Sequence, residues 1–338
     1  MTSYSIGDQA RAFALQTASH RLKTTLATLT SEMASGEVAD LGQRLQGNTQ
    51  MLRQMEARIS MIDQLDRNAA EIEIFSQGMQ DVLEAIRGQT ASLGLSLLAE
   101  PFSETPALVS MRAAEAGDAF ETVVSRINGA VGGKYLFSGL NSDAPPLLSA
   151  GRILDELELV TAGMTTATDV SQAVSAWFDA APGSGGFLDT AYQGTIGQAQ
   201  AFVVGDGQTV ELGATAASTP LREVLKGMAT SALVDRGLLA GQYHEQRDLL
   251  QRGGQIMTDN ASEVLAEMGR IGQAQGLTER ARTENSSARA ALSAARNNLR
   301  AADPYETAGA ITMVEAQLEA LYSVTARLAN LKLVDYLR

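Results

Sequence analysis

The side chains that most often bind metals or transfer protons are few in this 338-residue chain. His20 and His244 are its two histidines, and no second histidine or cysteine lies one helical turn from either. A metal site needs several ligands that converge on one point. We therefore expect both histidines to be ordinary helix residues. The chain has no cysteine, which excludes a disulfide, a thiolate metal site and a cysteine nucleophile.

Carboxylate pairs and glycine-rich turns give no stronger sign of catalysis. Glu71 with Glu73, and Glu156 with Glu158, lie among many other acidic residues, as expected of solvated faces. The segment 205–207 begins like a dinucleotide-binding loop, but it has no third glycine and opens no helix. No phosphate-binding loop and no Gly-x-Ser-x-Gly motif occurs. We therefore expect no catalytic residue, no cofactor and no metal, and a protein that is not an enzyme.

The charge of the chain excludes two classes of partner. Lys and Arg total 26 and Asp and Glu total 39, which gives a net charge of −13. A protein that binds nucleic acid or an anionic membrane surface needs positive charge to meet the phosphates or the anionic lipids. No apolar run of about 20 residues is present, and the first ten residues lack the pattern of a cleaved signal peptide. We expect no nucleic-acid partner, no membrane partner and no cleaved signal.

The first helix is predicted from Asp8 to Ala34. Its apolar residues recur at steps that are sums of three and four, which places them on one helical face. Ser35-Gly36 then ends the helix, because glycine accepts the left-handed conformation that follows a helix. The apolar residues are Leu15, Leu22, Leu26, Leu29 and Met33.

Two further helices are predicted to form a rod. The first, Asn48 to Ala99, repeats apolar residues at steps of three and four, and a helix of this length spans about 75 Å. Glu100-Pro101-Phe102 breaks it. Thr105-Pro106 starts the next helix with an N-cap and a proline at the first helical position. An unbroken heptad pattern then follows to Ala130.

The middle of the chain changes character between Val131 and about Gly241. Glycine and proline clusters appear and the apolar periodicity fades. Two β-branched runs flank Asp206-Gly207, which predicts a β-hairpin with a two-residue turn. Short helices are expected near 169–180 and 221–233.

Helix returns from Gln242 to Ala302, and a last helix follows. Asp303-Pro304-Tyr305-Glu306 combines an N-cap, a proline at the first position and an acid at the third, which is a strong helix start. The helix that it opens carries a second apolar stripe. The stripe consists of Ile311, Val314, Leu318, Leu321, Leu328, Leu331 and Leu333.

These elements predict a mainly α fold. Long antiparallel coiled-coil helices formed by the N- and C-terminal regions would carry a small inserted α+β domain. The predicted parts are an N-terminal amphipathic helix (1–47), a long helical rod (48–131), an inserted mixed outer domain (132–241), a returning rod (242–302) and a C-terminal amphipathic helix (303–338).

Amphipathic helices at both chain ends indicate an association surface. Chain termini are normally polar and loosely held, whereas each stripe here needs an apolar partner. The two ends could pair with each other or with neighbouring copies, and we favour neighbouring copies. The two stripes, from Leu15 to Met33 and from Ile311 to Leu333, are therefore our candidate polymer interface.

Three segments carry a resemblance to a known family. The stretch 314–337, which closes with Leu331-x-Leu333-x-Asp335-Tyr336-Leu337, resembles the C-terminal helix of the flagellin superfamily. Its close is similar to that of the hook-associated protein 3 branch, the hook–filament junction proteins. Gly133-Lys134-Tyr135-Leu136-Phe137-Ser138-Gly139 resembles a Tyr-x-Phe-x-Gly segment of the same branch, and Ser35-Gly36 is a weaker third match.

The resemblance implies a structural role outside the cell, in the bacterial flagellum. Copies would form a short tube between hook-associated protein 1 and the flagellin filament, with the terminal helices inside and the middle domain outward. Export would use the flagellar type III apparatus without a cleaved signal, and a chaperone would hold the C-terminal helix beforehand. Two alternatives stay open, namely a minor flagellin of the filament and a generic coiled-coil scaffold or signalling rod.

Overall fold

The computed structural model describes residues 6–99, 105–197 and 199–336, without the side chains of 6–8 and 329–336. Long helices and two small two-stranded sheets make up the described fold, which confirms the predicted mainly α class. The helices are α1 (Ile6–Ser35), α2 (Leu41–Arg44), α3 (Gln50–Leu98), α4 (Pro106–Ile127), α5 (Ala150–Val160), α6 (Ala167–Asp179), α7 (Phe187–Thr190), α8 (Thr219–Asp235), α9 (Tyr243–Asp259), α10 (Ala261–Arg300) and α11 (Pro304–Tyr336). The strands are β1 (Ala130–Val131), β2 (Lys134–Tyr135), β3 (Gln200–Gly205) and β4 (Gln208–Leu212).

The chain divides into two compact units. The terminal unit contains the described residues up to Ile62 and those from Ser287 onward, and the central unit is Asp63–Ser286. α3 and α10 each contribute to both units. The predicted division into five parts stays a prediction. In the structure, helices of the predicted rods and helices of the middle segment lie together in the central unit.

The terminal unit is built around the pairing of α1 with α11. α1 is followed by Gly36, whose φ of +71° is the left-handed conformation expected after a helix. The chain then lies beside the end of α10, where Val38 N donates to Arg300 O at 2.9 Å and Ala302 N donates to Gly36 O at 2.9 Å. These bonds bring the end of α1 next to the start of α11, so the two helices run antiparallel.

The central unit has one apolar core that includes residues of both the predicted rods and the middle segment. Ile72 and Leu83 of α3, Phe120 of α4 and Leu225 of α8 are all completely buried in it. α8 packs mainly against α4 and α9, which places a helix of the middle segment between two helices of the rods. The middle segment therefore shares its core with the rods.

Glycines allow α8 and α9 to approach closely. A Cβ atom on Gly253 of α9 would overlap Ser231 Oγ and lie 2.5 Å from Gly227 O of α8. A Cβ atom on Gly227 would lie 2.9 Å from Gly253 O. Because real Cβ atoms do not approach so near, only glycine permits this separation of the two helices.

The predicted β-hairpin is confirmed. β3 and β4 are antiparallel with Phe202 opposite Val210, and Asp206-Gly207 forms the turn. Gly207 has a φ of +70°, which explains the glycine there. The shorter hairpin of β1 and β2 turns at Gly132-Gly133, both with positive φ. These two short strands were not predicted from the sequence.

Most helix predictions hold, but one predicted helix is divided in two, and α2, α5 and α7 were not predicted. α1, α3, α4, α6, α8 and α11 match the expected segments to within a few residues. The segment expected as one helix from Gln242 to Ala302 is two helices, because α9 ends at Asp259 and Asn260 Nδ2 donates back to Ile256 O at 2.9 Å. α5 was not predicted, although Ile153, Leu154 and Leu157 form its buried face.

Candidate assembly interface

A groove of about 580 Å³ runs between α1 and α11 in the terminal unit. Its apolar floor consists of Leu15 of α1 and Leu321 and Leu328 of α11. Its rim is basic, because α1 contributes cationic and neutral polar side chains and no acidic residue lines the groove. The groove thus combines an apolar floor with a positive edge. The polar rim residues of α1 are Arg11, Gln16, Ser19, His20 and Lys23.

The predicted polymer-interface residues are only partly covered by the pairing of these helices. Val314 and Leu318 of α11 are buried, at 9% and 7% exposure. Met33 is exposed, at 38%. The side chains of Leu331 and Leu333 lie outside the described part of the chain. The remaining members are half-buried, namely Leu15, Leu22, Leu26, Leu29, Ile311, Leu321 and Leu328.

The pairing within one chain answers part of the sequence-based question. The two stripes do meet each other, which the sequence analysis considered but did not favour. Two helices have only one contact line between them, so each stripe is covered on one side and open on the other. The role of the stripes between copies stays a prediction.

α11 begins with the cap that the sequence predicted. Asp303 Oδ1 accepts hydrogen bonds from Tyr305 N at 2.9 Å and from Glu306 N at 3.2 Å. These bonds satisfy backbone donors at the first turn, which have no partner inside the helix. The cap fixes where α11 starts, and so the register of its apolar stripe against α1.

One aromatic residue joins the groove that the sequence analysis did not select. Lys23 Nζ lies 5.8 Å from the centroid of the Tyr322 ring, within the range of a cation–π contact. Tyr322 is still 50% exposed. In the sequence, only its position next to Leu321 of the apolar stripe could have indicated that Tyr322 lies at the groove. Its contact with Lys23 could not be predicted, because it depends on the register of two helices that are far apart in the sequence.

The two carboxylate pairs named in the sequence do not form a catalytic pair in the structure. Glu71 Oε1 lies 3.1 Å from Lys134 Nζ and Glu73 Oε2 lies 2.5 Å from Arg282 Nη1, so this carboxylate pair is divided between two cations. Glu158 pairs with Arg236 at 3.0 Å, while Glu156 takes no part in that contact. These are exposed ion pairs, which typically stabilise a fold by less than about 1 kcal/mol.

The histidines are equally dispersed. His20 lies at the rim of the groove in the terminal unit, and His244 lies in the first turn of α9 in the central unit. Within the described residues, no group of three or more histidine or acidic side chains converges as a metal site would require. No helix in the described ranges is both long and apolar enough to cross a membrane.

Comparison with known proteins gives one informative result. No protein-family model and no curated protein matches the chain. Among solved structures, the fold is similar to that of a provisionally assigned flagellar hook-associated protein from Vibrio parahaemolyticus, with a TM-score of 0.51. The two are 17% identical, over 73% of this chain and 95% of the other. At that identity, the likeness establishes a shared fold.

Proposed function

We propose that this chain is a structural, non-enzymatic subunit of the bacterial flagellum that self-assembles at the hook–filament junction. In that position it would connect hook-associated protein 1 to the flagellin filament. Two lines of support are independent of each other. One is the resemblance of the segments 314–337 and 133–139 to the junction branch of the flagellin superfamily. The other is the fold shared with the Vibrio parahaemolyticus protein.

The observation that carries the proposal is the half-covered pair of terminal helices. α1 has 30 residues and α11 has 33, and their apolar stripes are only partly buried against each other. Apolar surface of that extent is typically an association site. Packing several copies side by side would cover the open sides of both stripes, as helices do in bundles.

The same surface accounts for the proposed route to the assembly. Before assembly, α11 would expose Met313 and Val324 to water, together with half of the Tyr322 side chain at the groove. An export chaperone that binds α11 would shield this surface, and export through the flagellar type III apparatus would need no cleaved signal. The protein would then act outside the cell, as part of the flagellum.

Deleting the gene is the direct genetic test. If the chain connects hook and filament, the deletion strain makes hooks without filaments and releases flagellin monomers into the medium. Expressing the intact chain from a plasmid should restore filaments. Normal filaments in the deletion strain would overturn the junction proposal.

A minor flagellin is the second candidate. The segments 221–233 and 302–308 favour it, because both resemble flagellin. A minor flagellin would be distributed along filaments, and its deletion would leave most of the filament intact. A generic coiled-coil scaffold would be absent from sheared flagella altogether.

A further inference from the structure

Facing parts of the two terminal helices differ in the sign of their charged residues. Between positions 9 and 31, α1 has the basic residues Arg11, Arg21 and Lys23 and no acidic residue. Between positions 304 and 326, α11 has Glu306, Glu315 and Glu319 and no basic residue. The separation is local to these two spans, because α1 also contains Asp8 and Glu32 and α11 also contains Arg327, Lys332 and Asp335.

Pairing within one chain does not use these opposite charges. Among the described side chains of α1 and α11, no ion pair joins the two helices, and the ion pairs nearby are those of Arg300 with Glu37 and Glu56. Lys23 faces the Tyr322 ring instead of a carboxylate. The opposite charges therefore stay available for contacts outside the chain.

Arg21 lies on a face of α1 that α11 does not cover. It lines a shallow depression formed entirely by α1, together with Ala14, Thr17 and Leu22. Phe13, at 71% exposure, lies on the same open face. The Thr17 hydroxyl donates to Phe13 O at 2.9 Å, so it makes its hydrogen bond inside the helix. The face offers an exposed ring and small side chains around one guanidinium group.

Glu315 and Glu319 form the complementary feature on α11. Both are exposed, and their spacing of four residues places them on one side of the helix, one turn apart. Neither lines the groove that α11 shares with α1. A guanidinium group between two carboxylates one turn apart can bond to both of them.

We propose that the open face of α1 around Arg21 docks on the Glu315–Glu319 side of α11 in a second copy of this chain. This inference rests on the proposed self-assembly and adds the contact and its polarity. The contact joins two different surfaces, so each copy keeps one free α1 face and one free α11 face. Such heterologous contacts close into rings or extend into helical tubes. The opposite charges select the register and the correct partner face.

Charge reversal in separately purified full-length variants tests the contact. Arg21→Glu alone places a third carboxylate against Glu315 and Glu319, and Glu319→Arg alone places a second guanidinium group against Arg21, with only Glu315 left between them. Each variant by itself should stay monomeric at concentrations at which the wild-type chain assembles. In an equimolar mixture, the changed α1 face of the Arg21→Glu variant can dock on the changed α11 face of the Glu319→Arg variant. The unchanged α1 face of the second variant can dock on the unchanged α11 face of the first. Both contacts join opposite charges, so the mixture should assemble. Light scattering and sedimentation velocity measure all three samples, and circular dichroism checks that each variant is folded.

The outcomes separate this contact from the proposed function. If both single variants assemble like the wild type, the Arg21 contact is wrong while self-assembly stands. If the single variants fail and the mixture also fails, charge pairing between these two faces is again wrong. If the wild-type chain itself does not assemble, and Leu321→Asp changes nothing, self-assembly through the terminal helices falls. Assembly of the mixture should also weaken as salt is added, because exposed charge pairs are screened.

Discussion

At the scale of single residues, Asp189 shows a carboxylate that holds a loop by hydrogen bonds. Asp189 Oδ2 accepts from Gly185 N at 2.8 Å and from Gly183 N at 3.0 Å, and Oδ1 accepts from Gly183 N at 2.8 Å. Both glycines have positive φ, at +88° for Gly183 and +75° for Gly185, so the loop can turn its amides toward the carboxylate. The hydrogen bond from Gly183 N has the largest effect and that from Gly185 N the next largest, and together they hold the pKa of Asp189 below its ordinary value of 3.8.

Asp189→Asn should therefore destabilise the chain in a pH-dependent way. Because the folded pKa is lowered, the carboxylate stabilises the fold above its unfolded pKa value of 3.8. That contribution is lost as the pH falls through the folded value. We expect a lower melting temperature for the variant at neutral pH, and a difference that shrinks below the ordinary pKa. A difference that grows in acid would contradict this account.

Lys226 is one of the buried charged residues of the central unit, and it lies between two carboxylates. Its side chain is 6% exposed, and Nζ lies 2.7 Å from Glu223 Oε1 and 2.8 Å from Asp179 Oδ2. Replacing it by Met leaves the two carboxylates without their cation, so Lys226→Met should lower the free energy of unfolding by about 2 kcal/mol. Urea denaturation measures this loss.

A matched exposed pair supplies the control for Lys226. Lys134 is 49% exposed and lies beside Glu71, which is 42% exposed. Exposed pairs stabilise by less than about 1 kcal/mol, so Lys134→Met should change the free energy of unfolding much less. Equal losses for the two variants would mean that burial of the Lys226 ammonium group does not matter.

At the scale of elements, the closeness of α8 and α9 depends on glycine. Gly253→Ala should force the helices apart and lower the free energy of unfolding by about 2 kcal/mol, as overpacked cores do. Gly276→Ala in α10 is the control, since a Cβ atom there meets nothing within 4 Å. An exposed Gly→Ala change in a helix stabilises by about 0.5–1 kcal/mol. If urea denaturation shows a lower free energy of unfolding for Gly253→Ala and a higher one for Gly276→Ala, the close packing is supported. An unchanged free energy of unfolding for Gly253→Ala would refute it.

Local sequence signals predicted the elements well and their partners poorly. Asp206-Gly207 fixed a hairpin turn, and Asp303-Pro304 fixed a helix start, because both act through neighbouring backbone. The glycine contact of Gly227 with Gly253 could not be found in that way, since it depends on which two helices face each other. The apolar stripes of α1 and α11 were identified, but periodicity could not show that they meet within one chain.

At the scale of the whole molecule, the terminal helices should govern assembly while the central unit folds without them. Leu321→Asp places a charge on the floor of the groove between α1 and α11, where desolvation is costly. We expect the variant to lose assembly at concentrations at which the wild-type chain assembles. Sedimentation velocity measures the loss.

Two controls make the Leu321→Asp result specific. Trp177 is the single tryptophan and is buried in the central unit, where its ring meets Phe178 edge-on at 5.0 Å. Its fluorescence should be unchanged in the variant if the central unit keeps its fold. Leu159→Asp makes the same change at a 74% exposed position of α5 and should leave assembly intact. If the Leu321→Asp variant still assembles, the terminal helices do not form the polymer contact.

The most direct measurement is the position of the tagged protein on isolated flagella by immuno-electron microscopy. The central proposal is a flagellar subunit that packs against neighbouring copies through its two terminal helices. The account predicts a single band of label where the hook meets the filament. Label along the whole filament would make the chain a flagellin, and flagella without label would contradict a flagellar role altogether.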